Sequence, residues 1–340
     1  MSELDNILKD INKKYKDNIA FKGLERKDFE RIPFSSPRLN YMTYGGIARN
    51  TITEFFGAES SGKTTTALDI VKNAQIILPQ GKSIVYFDIE NLLDERWAAE
   101  LGVKIEDLIL LRPQDQNAEQ ILDMAKTIIC SGEAWLVVLD SVGCMVSGSI
   151  FDESYTKKSY GGIATPMTRF VNEIVRILKK YDSTLLVINQ VREDMDNPYN
   201  QFITPGGRAL KHEASLRMCF RQGKYIDKDG NELTNGAENP AGHKVETAIV
   251  KTKICRPDRK KGFYTLNYFE GIDWLTDLIE VAMKYEIITQ SGAWFYAFDE
   301  NGEQIDKFQG KLKLIDRIKT DTAFKEKIEN LVNDCMYKEE

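Results

Sequence analysis

A chain of 340 residues with 42% hydrophobic and 29% charged side chains can hold one large α/β domain with smaller satellites and bury a sizeable core. Its formal net charge of −6 excludes a protein coated in basic surface while leaving room for a local basic groove. No run of about eighteen apolar residues is present to span a bilayer, and residues 1–5 carry no apolar export signal, so no membrane partner is expected and the cytoplasm is the expected compartment. Five cysteines without a CxxC pair, and only two histidines, His212 and His243, argue against a clustered zinc site and predict free, buried thiols.

Residues 2–15 place Leu4, Ile7, Leu8, Ile11 and Tyr15 on one helical face, with Ser2 and Asp5 as a capping pair. Such a stripe must be buried on the chain's own core or on a neighbouring subunit. Ile19-Ala20-Phe21 reads as a short strand. From Thr51 the pattern alternates: strand 51–56, helix 63–77, strand 83–88, helix 95–101, strand 107–111, helix 117–131, strand 135–140, helix 165–181 and strand 184–189. Strands separated by helices imply crossovers and a mostly parallel sheet. Trp135-Leu136-Val137-Val138-Leu139 is apolar throughout, as a strand covered on both faces should be, and it ends in Asp140. Met167, Phe170, Val171, Ile174 and Leu178 form a buried stripe, with Arg169, Arg176, Lys179 and Lys180 off it. Segments 147–162 and 193–207 are loop-like in composition and follow the carboxyl ends of core strands, where long loops tend to be functional. Beyond them, strand-like runs 215–221, 244–252 and 263–269 bracket the turn Asp227-Lys228-Asp229-Gly230-Asn231 and suggest antiparallel additions. From Asp273 a helix, a small strand pair near 294–307 and two helical runs suggest a separate C-terminal domain.

The chemistry centres on Gly57-Ala58-Glu59-Ser60-Ser61-Gly62-Lys63-Thr64, set between a strand and a helix. Such a loop wraps a pyrophosphate with its backbone N–H groups, and glycines at its two ends tolerate the close approach. Lys63 can reach the β- and γ-phosphates, and Thr64 can place its hydroxyl on Mg²⁺. Asp140 suits a second magnesium holder, and Glu90, at the end of the strand after the loop's helix, suits a water-orienting carboxylate. Asn189-Gln190 ends a third core strand, and an amide there could read the γ-phosphate.

These motifs, with Phe87-Asp88-Ile89-Glu90, Leu93-Asp94, Val138-Leu139-Asp140-Ser141-Val142, Ile188-Asn189-Gln190-Val191-Arg192, Gly206-Gly207-Arg208-Ala209-Leu210-Lys211, Val250-Lys251-Thr252-Lys253-Ile254 and Gly292-Ala293-Trp294, make the chain resemble the RecA-family recombinases over nearly its whole length. The resemblance implies an α/β P-loop NTPase with a RecA-like core, an N-terminal helix and a small α+β C-terminal domain, divided at 1–32, 33–271 and 272–340. It implies ATP and Mg²⁺ held by Gly57, Glu59, Ser60, Ser61, Gly62, Lys63, Thr64, Thr65 and Asp140, with Thr64 and Asp140 as the metal's residues. Asp94, Trp97 and Tyr268 fall where the family holds the base, Trp97 standing where a tyrosine is usual. Glu90 matches the catalytic glutamate and Gln190 the γ-phosphate sensor. Lys251 and Lys253 match a pair that reaches a neighbour's ATP, and their spacing of two puts both on one face of a strand.

By the same resemblance, segments 147–162 and 193–207 are DNA-binding loops. Thr168, Arg169, Arg192, Phe202, Ile203, Gly206, Gly207 and Arg208 are DNA-binding candidates, and Ile150, Phe151, Tyr155 and Tyr199 are candidate wedges. Thr165 and Asn172 stand at the family's basic positions, with Arg169 and Arg176 one turn away, and the acidic tail is reduced to Lys338-Glu339-Glu340. The implied activity is ATP-dependent homologous pairing and strand exchange by a filament on single-stranded DNA, with homologous duplex as second partner. A ring helicase on the same core, and an ATP-binding coat on DNA with little turnover, are the alternatives.

Overall fold

The computed structural model describes residues 3–15, 20, 29–148, 162–193, 202–228, 230–234 and 237–337, and its contacts divide the chain into two units, Met1–Glu30 and Arg31–Glu340. In the first unit, helix α1 (Glu3–Tyr15) carries Glu3 and Asp5 in its first turn and Lys13 and Lys14 in its last, each sign at the end that the helix dipole favours. The Asn12 amide exchanges two hydrogen bonds with the Ala20 backbone, at 2.7 and 2.8 Å. Ser2, Ile19 and Phe21, part of the expected cap and strand, lie outside the described residues.

The second unit opens with β1 (Arg31–Ile32), α2 (Pro37–Thr43) and β2 (Ile47–Ala48), the two strands pairing antiparallel. Helix α2 starts cleanly because Ser36 caps the Leu39 N–H and Pro37 takes a position whose missing N–H costs nothing. Then strands and helices alternate: β3 (Ile52–Gly57), α3 (Lys63–Ile76), β4 (Ser83–Asp88), α4 (Glu95–Glu100), β5 (Leu108–Leu111), α5 (Ala118–Cys130), β6 (Ala134–Asp140), α6 (Ala164–Ile177) and β7 (Thr184–Gln190). A two-residue ladder of β8 (Arg192–Glu193) and β9 (Phe202–Ile203) precedes α7 (Gly207–Glu213), and β10 (Leu216–Ile226), β11 (Gly242–Thr252), β12 (Lys261–Asn267) and β13 (Gly271–Ile272) follow.

Nine of these strands form one sheet in the order β13-β12-β11-β10-β3-β7-β6-β4-β5. Every pairing from β10 to β5 is parallel; β11, β12 and β13 add antiparallel. The run at 215–221 therefore differs from expectation. It is parallel to β3, because α7 intervenes and returns the chain to the same end of the sheet, as a helical crossover does. Val137, Leu139, Leu185 and Val187 pack with Met167, Phe170, Val171 and Ile174 of α6, so the middle strands are covered on the face that α5 and α6 close.

Helix α8 (Trp274–Lys284), strands β14 (Ile288–Ser291), β15 (Trp294–Phe298) and β16 (Gln304–Gln309), and helices α9 (Lys311–Thr320) and α10 (Thr322–Tyr337) build a C-terminal layer around Leu278, Ile288, Phe295, Ala297, Ile318 and Ile328. Three antiparallel strands stand where a pair was expected, since β14 has four residues and only Ile288 of them is buried. Buried Asp277 of α8 accepts hydrogen bonds from the Ser36 hydroxyl and from the Arg38 N–H at 3.0 Å, which fixes this layer to α2. The cysteines are free, as expected, but none is fully buried, and Cys144 is exposed. No described helix is long and apolar enough to cross a membrane.

Candidate nucleotide-hydrolysis site

The phosphate loop runs from the end of β3 into α3. A Cβ on Gly57 would stand 2.2 Å from the Phe220 carbonyl oxygen of β10, and Gly62 has φ +88°, so each end of the loop requires glycine for its own reason. Helix α3 begins at Lys63 with no side chain capping it, which leaves the positive end of its dipole and its first N–H groups facing the loop. Lys63 is buried, and that burial lowers its pKa. Its ammonium donates to the Ala58 carbonyl at 2.5 Å and to Ser61 Oγ at 3.3 Å, an anion-sized place held by carbonyl and hydroxyl oxygens. Behind the loop, the Thr66 and Tyr264 hydroxyls share a 2.5 Å hydrogen bond that pins α3 to β12.

The ends of β4, β6 and β7 bring the expected carboxylates and amide into one cleft of about 440 Å³, lined also by Glu59, Ser60, Lys63 and Thr64. Asp140 Oδ2 accepts from the Thr64 hydroxyl at 3.0 Å and from the Tyr86 hydroxyl at 2.5 Å. Burial raises the Asp140 pKa to about 6, against the two hydrogen bonds that favour its charge. Glu90 Oε1 gathers three donors: the Ser141 hydroxyl at 2.5 Å, the Gln190 amide at 3.1 Å and the Cys144 thiol at 3.2 Å. The supposed water-positioning carboxylate and the supposed phosphate-sensing amide thus touch. Asn189, the other amide of its pair, points away, toward Glu54 and the Pro205 carbonyl, because successive side chains of a strand face opposite sides.

Two residues without an expected role, Asp88 and Tyr86, support the cleft, and the residues expected at the base lie beside it. Buried Asp88 accepts from the Leu92 and Leu93 N–H groups, each at 3.1 Å, and from Arg112 Nε at 3.0 Å, which folds the turn after β4. Its position inside the motif beside Glu90 was the only sequence signal. Tyr86 gave another, a phenol in the middle of an apolar strand. Asp94 caps α4 through the Arg96 and Trp97 N–H groups, at 2.9 and 3.2 Å. The Trp97 indole N–H then reaches the Tyr268 carbonyl at 3.3 Å, and the Tyr268 hydroxyl meets His243 Nδ1 at 3.0 Å. Trp97, Tyr225, His243 and Tyr268 wall a second cleft of about 380 Å³ on the other side of residues 60–65, Thr65 included.

The remaining candidates stand apart. Lys251 donates to the Lys211 carbonyl at 2.7 Å and to the His212 carbonyl, closing the last turn of α7. Burial, then Lys253 and Arg217, lower its pKa to about 8. Lys253 lies past the end of β11, which corrects the expectation of one strand face, although its Nζ points to Glu213 of the same helix at 3.8 Å. Neither lysine lines the two clefts. Thr168 bonds back to the Ala164 carbonyl at 2.7 Å, Arg169 pairs with Glu173 at 3.2 Å, and Arg192 donates to the Gly143 carbonyl at 2.8 Å. Gly206 and Gly207 open α7 with φ +94° and +74°, Arg208 is exposed, and Ile203 and the Phe202 backbone sit in β9. Ile150, Phe151, Tyr155 and Tyr199 lie outside the described residues.

A phosphate loop between a parallel strand and a helix, with a carboxylate at the next strand end and a carboxylate–amide pair beside it, defines a P-loop nucleotide hydrolase. The family model for the RecA N-terminal domain matches residues 2–273. Protein RecA of Aquifex aeolicus (strain VF5) is 35% identical over 307 residues, covering 88% of this chain and 85% of the relative. Protein RecA of Thermus thermophilus is 33% identical over 296 residues, 86% and 83% of the two chains. The chain belongs to the RecA family, and with that family go DNA-dependent ATP hydrolysis and recombination rather than ring unwinding or a passive coat on DNA.

Proposed function

We propose that the chain binds ATP with Mg²⁺, assembles as a helical filament on single-stranded DNA in the cytoplasm, and pairs that strand with a homologous duplex. The observation that carries this reading is the Glu90–Gln190 contact in the same cleft as the phosphate loop. A hydroxyl and a carboxylate 3.0 Å apart, Thr64 and Asp140, are the hard oxygen donors that Mg²⁺ prefers. A bound Mg²⁺ would neutralise phosphate charge and favour the ionised form of Asp140.

Lys63 exchanges the Ala58 carbonyl for the β- and γ-phosphates. Glu90 is held through Oε1, and no donor among the described residues reaches Oε2, which leaves that oxygen to orient a water. Gln190 gives up Glu90 for a γ-phosphate oxygen and so reports the nucleotide's state. Trp97 and Tyr268 flank the base. Lys251 and Lys253 act on the ATP of a neighbouring subunit, and Lys251 is mostly protonated at neutral pH with its pKa near 8. Residues 1–32 serve as the oligomerisation element, 33–271 as the ATPase core and 272–340 as the C-terminal domain. Thr168, Arg169, Arg192, Phe202, Ile203, Gly206, Gly207 and Arg208 face DNA.

The test is ATP hydrolysis with and without single-stranded DNA while protein concentration is titrated. Stimulation that rises cooperatively with protein is expected. Hydrolysis indifferent to both DNA and protein concentration would overturn the reading, since the site would then be complete within one subunit.

A further inference from the structure

On the face of β7 away from Gln190 lies a buried ionic group that the hydrolysis chemistry does not use. Glu54 of β3 is fully buried, and its Oε2 accepts from Arg217 Nε of β10 at 2.5 Å. The Arg217 guanidinium also lies over the Phe56 ring at 4.7 Å and reaches the Thr204 hydroxyl at 3.4 Å. The other Glu54 oxygen accepts from Asn189 Nδ2 at 3.0 Å, and the same amide donates to the Pro205 carbonyl at 2.9 Å. Three adjacent parallel strands, β10, β3 and β7, thereby hold residues 204–205, the short segment between β9 and the two glycines that open α7.

A buried ion pair is a poor way to gain stability, because apolar side chains of the same volume serve as well or better. Its partners here show what it does instead. Asn189 and Gln190 are consecutive, so they project to opposite faces of one strand: Gln190 to Glu90 in the nucleotide cleft, Asn189 to Glu54 and Pro205. At these two residues the strand is paired with β3, while its pairing with β6 ends at Val187, and the rigid peptide plane that joins them couples a shift of one to the other. Displacement of Gln190 therefore reaches Pro205 through Asn189, and the fixed Glu54–Arg217 pair is the point against which that movement is measured.

We propose that Glu54, Arg217 and Asn189 form a positioning relay that sets residues 204–206 according to the nucleotide in the cleft, with Asn189 as its moving member. The inference rests on the functional reading above, since it needs both a nucleotide and a DNA strand. None of the three touches the cleft, so they position rather than catalyse.

The experiment uses the full chain and a fluorescent oligo-dT strand, and measures its affinity by anisotropy with a non-hydrolysable ATP analogue and with ADP. The readout is the ratio of the two affinities; nucleotide affinity is measured separately on the same protein. For Asn189→Leu the ratio is expected to fall about tenfold, the worth of one buried hydrogen bond to a charged group, with nucleotide affinity unchanged. Thr204→Val, which removes one hydroxyl and keeps the shape, is expected to lower the ratio about threefold and decides the matter if the first variant does not fold. A wild-type ratio in either folded variant overturns the inference alone. An equal loss of nucleotide affinity also overturns it, because the group would then act on the cleft itself. Wild-type protein that binds DNA equally with either nucleotide overturns the functional reading together with the inference.

Discussion

The nucleotide cleft and the surface assigned to DNA are built on opposite plans. In the cleft, hydrogen bonds of 2.5 to 3.3 Å tie Lys63 to Ser61, Thr64 and Tyr86 to Asp140, and Ser141 and Gln190 to Glu90, all supported by strand ends in register. Among the proposed DNA-binding residues, three side chains bond to their own helix or to a carbonyl: Thr168 to Ala164, Arg169 to Glu173, Arg192 to Gly143. A site that stabilises a transition state must be arranged beforehand, because reorganisation during the reaction raises the barrier. A surface that accepts any single-stranded sequence gains from side chains that adapt along a backbone. The difference teaches where single substitutions act sharply and where they act by degrees.

The sharpest way to test that contrast is Lys63→Ala, which removes the only buried cation in the phosphate loop; nucleotide binding and hydrolysis should both be lost, as read by filter binding and phosphate release. Glu90→Gln keeps the shape and the Oε1 contacts but not the base, so hydrolysis should fall by roughly a hundredfold or more with nucleotide affinity retained. If affinity falls equally, the cleft is less prearranged than its hydrogen bonds suggest.

Asp277 is a control that lines neither cleft. Burial raises its pKa to about 6, from an ordinary value near 4, so the folded chain holds this proton more tightly than the unfolded chain. Its contribution is favourable below about pH 4 and is lost as pH rises through 6, a change of roughly 2 to 3 kcal/mol. Urea melts of wild type and Asp277→Asn across that range should diverge with pH by this amount, wild type losing ground as pH rises. Curves that stay parallel would show that Ser36 and Arg38 keep the group ionised throughout. The smallest effect is expected at the adaptable surface: Arg208→Ala should weaken single-strand binding severalfold and lower the slope of log affinity against log salt by about 0.7, with DNA-free hydrolysis unchanged.

The cleft was far more legible in the sequence than the DNA surface, and for the same physical reason. Phosphate chemistry needs fixed residue types at fixed strand ends, so Lys63, Thr64, Glu90, Asp140 and Gln190 announce themselves by spacing. Two of its parts did not. Tyr86 and Asp88 sit within or at the end of an apolar strand, and only the fold shows that one bonds Asp140 and the other gathers the turn that carries Asp94 and Trp97. The direction of β10 against β3 is not legible, although its antiparallel pairing with β11 is, because an apolar run looks the same in either orientation and α7, which decides it, has only seven residues. The proposed DNA surface has no comparable code: exposed arginines on α6 look like any solvated helix face.

Gly57 has a further meaning for anyone surveying tolerated substitutions. Its hydrogen faces the Phe220 carbonyl across the β3–β10 seam, so even alanine would force two parallel strands apart in a molecule that never meets a nucleotide. Such a variant would register as poor yield or aggregation, and an activity screen would score the position as functional. At Gly62 the same substitution strains the loop's turn at φ +88° and crowds only side-chain ends, Val245 Cγ2 at 3.0 Å and the Tyr264 hydroxyl at 3.2 Å, which can give way, and the protein should be recovered folded but empty-handed. Two glycines of one motif would then be intolerant for separate reasons, distinguishable by whether the failure appears in the soluble fraction or only in the assay.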